Sequence, residues 1–360
     1  MSQKLLGITF KAAFQTMING LPGLRDTFSG KPERKYAVIQ AHPDDEILIA
    51  GLIQRTAKYT KNPQYLILTD GNGNTTQDRQ AEVKESFEYL TETTEHAPEI
   101  LMPESDLLEL LTTPQGESSR VPDKNIKEAA KRIIRQVNYL EEKLREAEVN
   151  TVLTDDFNGG HFIHDITQMV ANIVIRRIVK NKGAKSIELY EFPQYFMRFK
   201  TDTLPSSREI RAKLGEAEAL RVAGDLEGFR KMQKEIAKSA EYVVGEFLPR
   251  DSMGLEDPAI GMKQGVISLT PAEMKKKIES RRFHKSQNNS TSRLIEYAVF
   301  PKDLSVERAR LIDIYRDYSQ RPNKHALLYE CIPWRAQAIF ETFSRLYKTI
   351  VRKEEKSPRK

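Results

Sequence analysis

Residues 36–51 read YAVIQAHPDDEILIAG. Tyr36 to Gln40 have the aliphatic and aromatic character of a buried strand, and a helical pattern runs on from Asp45 to Lys58. Between the two patterns, at their join, stand His42, Pro43, Asp44, Asp45 and Glu46. An imidazole and three carboxylates on the lip of an apolar core are costly unless they are paired, hydrated or bound to a cation.

Working outward, four more segments read as strands: YLILT at 65–69, EILM at 99–102, NTVLT at 150–154 and SIELYEF at 186–192. Helical patterns lie between most of them, over Arg79–Thr91, Asp123–Glu146 and Asp165–Asn181. Strand and helix alternate, so the expected fold is α/β, a mainly parallel sheet with helices on both faces. The strands run into AHPDDE, TDGNGN, PESD, TDDFNGGHFIHD and FPQYF. Ligands of an open α/β sheet bind at the carboxyl ends of its strands. Polar residues far apart in the chain are therefore expected to meet in one crevice.

The alternation stops near residue 195. A division follows into an N-terminal amphipathic arm (1–31), a catalytic α/β domain (32–195), a largely helical insertion (196–290), a return strand with C-terminal helices (291–350) and a basic tail (351–360). Residues 206–247 read as two amphipathic helices broken at AGD, and a loop with Gly and Pro runs from Pro249 to Gly265. Thr270, Pro271 and Glu273 have the spacing of a helix start with a capping box. LIEYAVF at 294–300 reads as a strand and Ser305–Ser319 as a helix. A final amphipathic helix spans about Trp334 to Val351, and Ile339, Phe343, Leu346 and Ile350 suit packing on the body or on a second subunit.

Composition narrows the classes. With 39% hydrophobic and 30% charged residues, the 360-residue chain can build a full core, and wholesale disorder is excluded. No apolar run reaches the ~18–20 residues of a membrane span, and Lys11 interrupts the only stretch that could serve as a short signal core. The single Cys331 excludes an internal disulfide and a cysteine-based zinc site and fits a reducing compartment, so a cytoplasmic location is expected. The net charge of +6 is partly local: residues 270–293 hold seven Lys or Arg against two Glu, a run that reads as a solvated helix face. Nucleic-acid binding is not expected; peripheral membrane contact and self-association stay open. GNGN at 71–74 lacks the third glycine of a dinucleotide fingerprint, and no Walker A pattern occurs. His96, His284 and His325 read as solvated or structural residues.

His42 and Asp45 are three apart at the first strand-to-helix turn, and His161 and His164 repeat the spacing after the fourth strand, where Gly159 and Gly160 allow a close bend. Two imidazoles and one carboxylate are a frequent ligand set for catalytic zinc, with one position left for water. A cation there would neutralise carboxylates that otherwise repel.

AHPDDE after a first strand, LTDGNGN after a second, RQAE opening the next helix, PESDL after a third and a late His-x-x-His together resemble the PIG-L/LmbE-like metal-dependent de-N-acetylases. The resemblance covers roughly residues 35–195, with RLIDIYRDYSQ near residue 315 as a further match. It implies a Rossmann-like fold and a zinc or other divalent-metal hydrolase that acts on a C–N amide bond. The N-acetyl group of an amino sugar or of its glycoconjugate, neutral or anionic, would be removed. It further implies that His42, Asp45 and His164 are the metal ligands, Asp44 the catalytic base and His161 the group that stabilises the oxyanion. Arg79 and Asp106 match positions that contact sugar hydroxyls or their neighbours, and Asp70 joins them as a substrate-binding candidate. The family's late motif is commonly His-Pro-Asp-His, whereas residues 161–164 read HFIH, so no acidic partner for His161 stands at Ile163; Asp155, Asp156 and Asp165 are the candidates to replace it. Two other readings stay open: a metal-assisted hydrolase of a phosphoester or non-sugar amide, and a non-catalytic binder of anionic glycan or lipid.

Overall fold

Tyr36–Gln40 forms β1, an interior strand of a seven-stranded sheet, and all five of its residues are buried. The structure is a computed structural model that describes residues 34–72, 79–112, 120–157, 161–182, 187–193, 195–199, 240–244, 264–287, 306–312, 314–319 and 340–356, with isolated residues between 216 and 228. The expected N-terminal arm, the strand at 294–300, and His325, Cys331 and Trp334 lie outside the described residues, as do Gly159 and Gly160.

After β1, a single-turn 3-10 helix (Asp45–Ile49) leads into α1 (Ala50–Tyr59). Then come β2 (Gln64–Thr69), α2 (Arg79–Thr91), β3 (Glu99–Met102), α3 (Ser105–Leu111), α4 (Asp123–Glu146), β4 (Thr151–Asp155), α5 (Phe162–Lys182) and β5 (Glu188–Phe192). Further along, the described residues form β6 (Tyr195–Phe199), β7 (Ala240–Val244), β8 (Gln264–Ser268), α6 (Pro271–Ser280) followed by two short 3-10 turns, β9 (Val306–Leu311) and α7 (Phe340–Lys356). The main sheet runs β3-β2-β1-β4-β5-β9-β8, and β6 and β7 form a separate antiparallel pair.

The first five strands of the main sheet are mutually parallel, which the α/β alternation predicts. Period-two alternation sends Ala37 and Ile39 to one face and Tyr36 and Val38 to the other. The first pair packs with α4, α5 and α7, the second with α1 and α2. On α4, Ile133, Val137, Leu140 and Leu144 recur at helical spacing and are almost wholly buried. Each contributes about 1.5–3 kcal/mol from apolar burial, and a carboxylate at Val137 would break the interface by burying an unpaired charge. Phe343, Leu346 and Ile350 of α7 are buried in the same core, so this helix packs on the body of the protein. Among the described residues, no helix is long and apolar enough to cross a membrane.

The chain departs from expectation after β5. The Ser305–Ser319 segment, expected as a helix, contains β9, antiparallel to both β5 and β8. Its charged sequence, VERARL, suits a helix locally. In the sheet, however, Glu307 pairs with Lys277, and Arg310 pairs with Glu191. Tertiary pairing thus decides the conformation over local preference. Within the span 196–290, most of which lies outside the described residues, Ala240–Val244, expected inside a helix, forms β7, whereas α6 is the expected capped helix and β8 adds an edge strand to the main sheet.

The order 3-2-1-4-5 reverses between β1 and β4. Loops at the carboxyl ends of these two strands diverge there to opposite faces, opening the crevice in which such sheets bind ligands. His42 follows β1, and His161 and His164 follow β4.

Candidate active site

The turn after β1 is tightly folded. Asp45 Oδ2 accepts the backbone N–H of His42 at 2.8 Å, which bends the chain so that both side chains face the crevice. Asp44 lies between them at φ 109°, ψ −18°. A left-handed non-glycine backbone of this kind costs of the order of 1–3 kcal/mol and persists only where neighbours hold it. Three contacts do so: Asp44 N–H donates to Glu46 Oε2 at 2.9 Å, Asp44 O accepts from Ile47 N–H at 3.2 Å, and Asp44 Oδ1 lies 3.0 Å from Arg79 Nη2.

His164 stands in the first turn of α5. The helix begins at Phe162, one turn before the expected Asp165, because Phe162 and Ile163 extend its buried apolar face. His42 Nδ1 and His164 Nε2 are 3.0 Å apart. Asp45 Oδ1 is 3.5 Å from His164 Nε2, and Asp45 Oδ2 is 3.7 Å from His42 Nδ1. On a tetrahedral zinc with Zn–N near 2.0–2.1 Å, neighbouring donors are about 3.3 Å apart. The donor spacing therefore fits one divalent cation. Ligand atoms of His42, His161 and His164 also lie within 4.8 Å of one another, so His161 borders the same point.

Electrostatics agree with geometry. His42 Nε2 is 3.2 Å from Glu104 Oε1, and both side chains are buried. A carboxylate only accepts, so this contact places a proton on Nε2 and turns Nδ1 towards Asp45 and His164. Burial opposes a charged His42, yet Glu104 and Asp45 raise its pKa to about 10. Burial lowers His164 to about 4, helped by the charge on His42 and resisted by Asp45 and Glu104. Asp45 falls to about 2 against its burial, through His164 and His42. Two carboxylates here stabilise positive charge beside a neutral imidazole lone pair, a donor set suited to a hard-to-borderline cation.

Asp44 differs from Asp45. Burial, aided by the neighbouring Asp45 and opposed by Arg79, raises its pKa to about 6. Its carboxylate is held by Arg79 rather than by the histidines.

His161 is half-buried, unlike His42 and His164. Its ring is edge-on to His42, with centroids 4.8 Å apart. Ile163 N–H donates to His161 Nδ1 at 3.3 Å. The backbone of Ile163 thus fixes the ring while its side chain fills the core, and Nε2 carries the proton of the neutral imidazole. Asp155, Asp156 and Asp165 are all buried near this end of the sheet.

The three expected substrate-binding residues are placed as follows. Arg79 is buried, and its guanidinium donates to Gly71 O at 2.6 Å and to Pro43 O while pairing with Asp44. Gly71, at φ +66°, lets the guanidinium approach this closely, since a Cβ there would lie 2.1 Å from Arg79 Nη1. Asp70 Oδ1 accepts from Asn72 N–H at 3.0 Å and Glu104 N–H at 2.9 Å, tying the loop after β2 to the loop after β3. Asp106, on α3, pairs with Arg132 of α4 at 3.0 Å and is about half exposed.

Sequence reading notes Glu46 among the carboxylates after β1 but gives no role to it, to Glu104 or to Glu307. Glu104 has a signal, a carboxylate at the carboxyl end of a predicted strand. Glu46 is wholly buried and accepts from Ser86 Oγ at 2.7 Å, with His284 Nε2 at 2.5 Å. Glu307 accepts Gly51 N–H and Leu52 N–H, each at 2.8 Å, and satisfies the N-terminal amides of α1.

Fold and site together define a Rossmann-like α/β protein with a histidine- and carboxylate-lined centre at its switch point. Residues 37–175 match the PIG-L family model, described as GlcNAc-PI de-N-acetylase, and the resemblance read from the motifs is borne out over that stretch. No curated protein matches the chain. Among solved structures, the zinc-inhibited form of the teicoplanin deacetylase Orf2 shares 16% identity and a TM-score of 0.44, covering 77% of this chain and 97% of that one. An N,N'-diacetylchitobiose deacetylase from Pyrococcus horikoshii, complexed with its inhibitor MPG, shares 14% identity and a TM-score of 0.39, covering 85% and 93%.

Proposed function

We propose that the protein is a divalent-metal-dependent hydrolase that removes an N-acetyl group from an amino sugar or its conjugate. The observation that carries this reading is the convergence of His42, Asp45 and His164 donors at 3.0–3.7 Å, with Asp44 beside them but tethered to Arg79. That arrangement lies inside the stretch matching a de-N-acetylase family.

His42, Asp45 and His164 would hold the ion, and Glu104 would fix the ring of His42. When bound, a divalent ion supplies Lewis acidity and makes a water-derived nucleophile available near neutral pH. Asp44 accepts the proton that this water loses on attacking the amide carbon. It then delivers the proton to the departing nitrogen, so that amide and water become acetate and amine. Arg79 keeps the Asp44 carboxylate aimed at the crevice. His161, whose Nδ1 accepts from Ile163 N–H, offers Nε2–H to the carbonyl oxygen as negative charge develops there.

Acetate release from N-acetylglucosamine-type substrates, measured with zinc present and after chelation, tests the reading. Activity should vanish with chelator and return with metal. Asp44→Asn should lower kcat by about 10²- to 10⁴-fold while metal content stays constant. Full activity of the Asp44 variant, or faster turnover of a phosphoester than of any acetamide, would overturn the proposal.

A further inference from the structure

The turn that carries Asp44 is held from behind by a segment outside the family-matched stretch. Residues 271–287 form α6 and two short 3-10 turns, Arg281–Phe283 and Lys285–Gln287. This segment docks on α2: Ser286 N–H donates to Glu82 Oε1 at 2.8 Å, and the rings of Phe283 and Tyr89 lie 5.4 Å apart. It also grips the turn itself, because Lys277 Nζ donates to Leu48 O at 2.9 Å. Between the two 3-10 turns, His284 is buried with its Nε2 against Glu46 Oε1. The other oxygen of the same carboxylate accepts the Asp44 N–H.

We propose that His284 is the positioning residue for Asp44, acting through Glu46 to hold the Asp44 backbone in its left-handed conformation. The inference rests on the deacetylase reading only for its consequence in the reaction. Glu46 is fully buried, and a lone carboxylate there would be expensive. Ser86 supplies one neutral hydrogen bond, whereas His284 supplies the imidazole donor that fixes the carboxylate plane. Once the plane is fixed, Oε2 is aimed at Asp44 N–H. If His284 releases Glu46, the positive-φ turn loses its acceptor, and the Asp44 carboxylate loses its aim beside the His42, Asp45 and His164 donors.

The test compares the full chain with His284→Ala, His284→Gln and His284→Asn. Glutamine places an amide nitrogen where Nε2 stands, while asparagine is too short to reach Glu46 Oε1. The first measurement, on metal-free protein, is hydrogen–deuterium exchange of the peptide spanning residues 41–48. The Asp44 amide should exchange about 10-fold faster or more in the alanine and asparagine variants, and close to the wild-type rate in the glutamine variant. The second is steady-state kinetics on an N-acetylglucosamine-type substrate with zinc. Alanine and asparagine should lower kcat by about 10- to 100-fold, with KM and zinc stoichiometry unchanged and glutamine largely restoring turnover. Unchanged exchange in the asparagine variant overturns the proposal, and so does faster exchange with unchanged kcat. A kcat loss matched by lost zinc also overturns it, since His284 would then act on the ligands. Should the alanine variant fail to fold, the glutamine and asparagine pair decides alone. If the wild type releases no acetate, the deacetylase reading fails while the exchange comparison still judges the hold of His284 on the turn.

Discussion

Glu104 decides which nitrogen of His42 faces the other donors. With Nε2 committed to Glu104 Oε1, Nδ1 has no choice but to point at Asp45 and His164. Removing the carboxylate frees the ring to rotate and lowers its basicity. Glu104→Ala should therefore weaken zinc binding by about 10- to 100-fold, measured by competition with a chromophoric chelator. An affinity within about twofold of wild type would show that packing alone orients the ring. His42, Asp44 and Asp45 were legible because three polar residues interrupt an apolar pattern at a single point. Glu104 was harder to read, since one carboxylate in PESD resembles any helix-start acid. Its role arises only when β3 is laid two strands from β1.

The elements that could be read locally are those whose own residues suffice. The capping box at α6 is one: Glu273 N–H donates to Thr270 Oγ1, and Thr270 N–H donates to Glu273 Oε2. The structure adds a second use of the same carboxylate, which pairs with Arg55 of α1 at 2.7 Å. Against partial burial, Arg55 and the Thr270 cap hold the Glu273 pKa down at about 2. A depressed carboxylate stabilises the fold fully above its unfolded value, about 4.5, and loses that contribution as pH falls through its folded value. The stability difference between wild type and Glu273→Gln should thus be constant above pH ~4.5 and shrink between pH ~4.5 and ~2. Urea midpoints across that range measure it, and a difference that does not depend on pH would remove Arg55 and the cap as the cause. By contrast, β9 was not legible as a strand. Its charges favour a helix until Lys277 and Glu191, far away in the chain, neutralise them inside the sheet.

At the scale of the whole molecule, the parallel half of the sheet presents the site and the antiparallel edge secures it. Glu307 of β9 makes the connection: it accepts two amides at the start of α1 and pairs with Lys277, which in turn holds Leu48 O. One buried carboxylate thereby ties the β8–β9 edge, α6 and the turn after β1 into a unit. Both partners of this ion pair are out of water, so deleting one leaves the other charged and unpaired, a loss of about 3–5 kcal/mol. Glu307→Ala should lower the urea unfolding free energy by that amount and free the amides of Gly51 and Leu52. The double variant Glu307→Ala with Lys277→Met removes the stranded charge and should recover part of the loss, because well-packed apolar replacements of buried pairs are often tolerated. If the single and double variants are equally destabilised, the cost lies in the uncapped helix and not in the charge. If neither is destabilised by more than about 1 kcal/mol, the antiparallel edge does not secure the site.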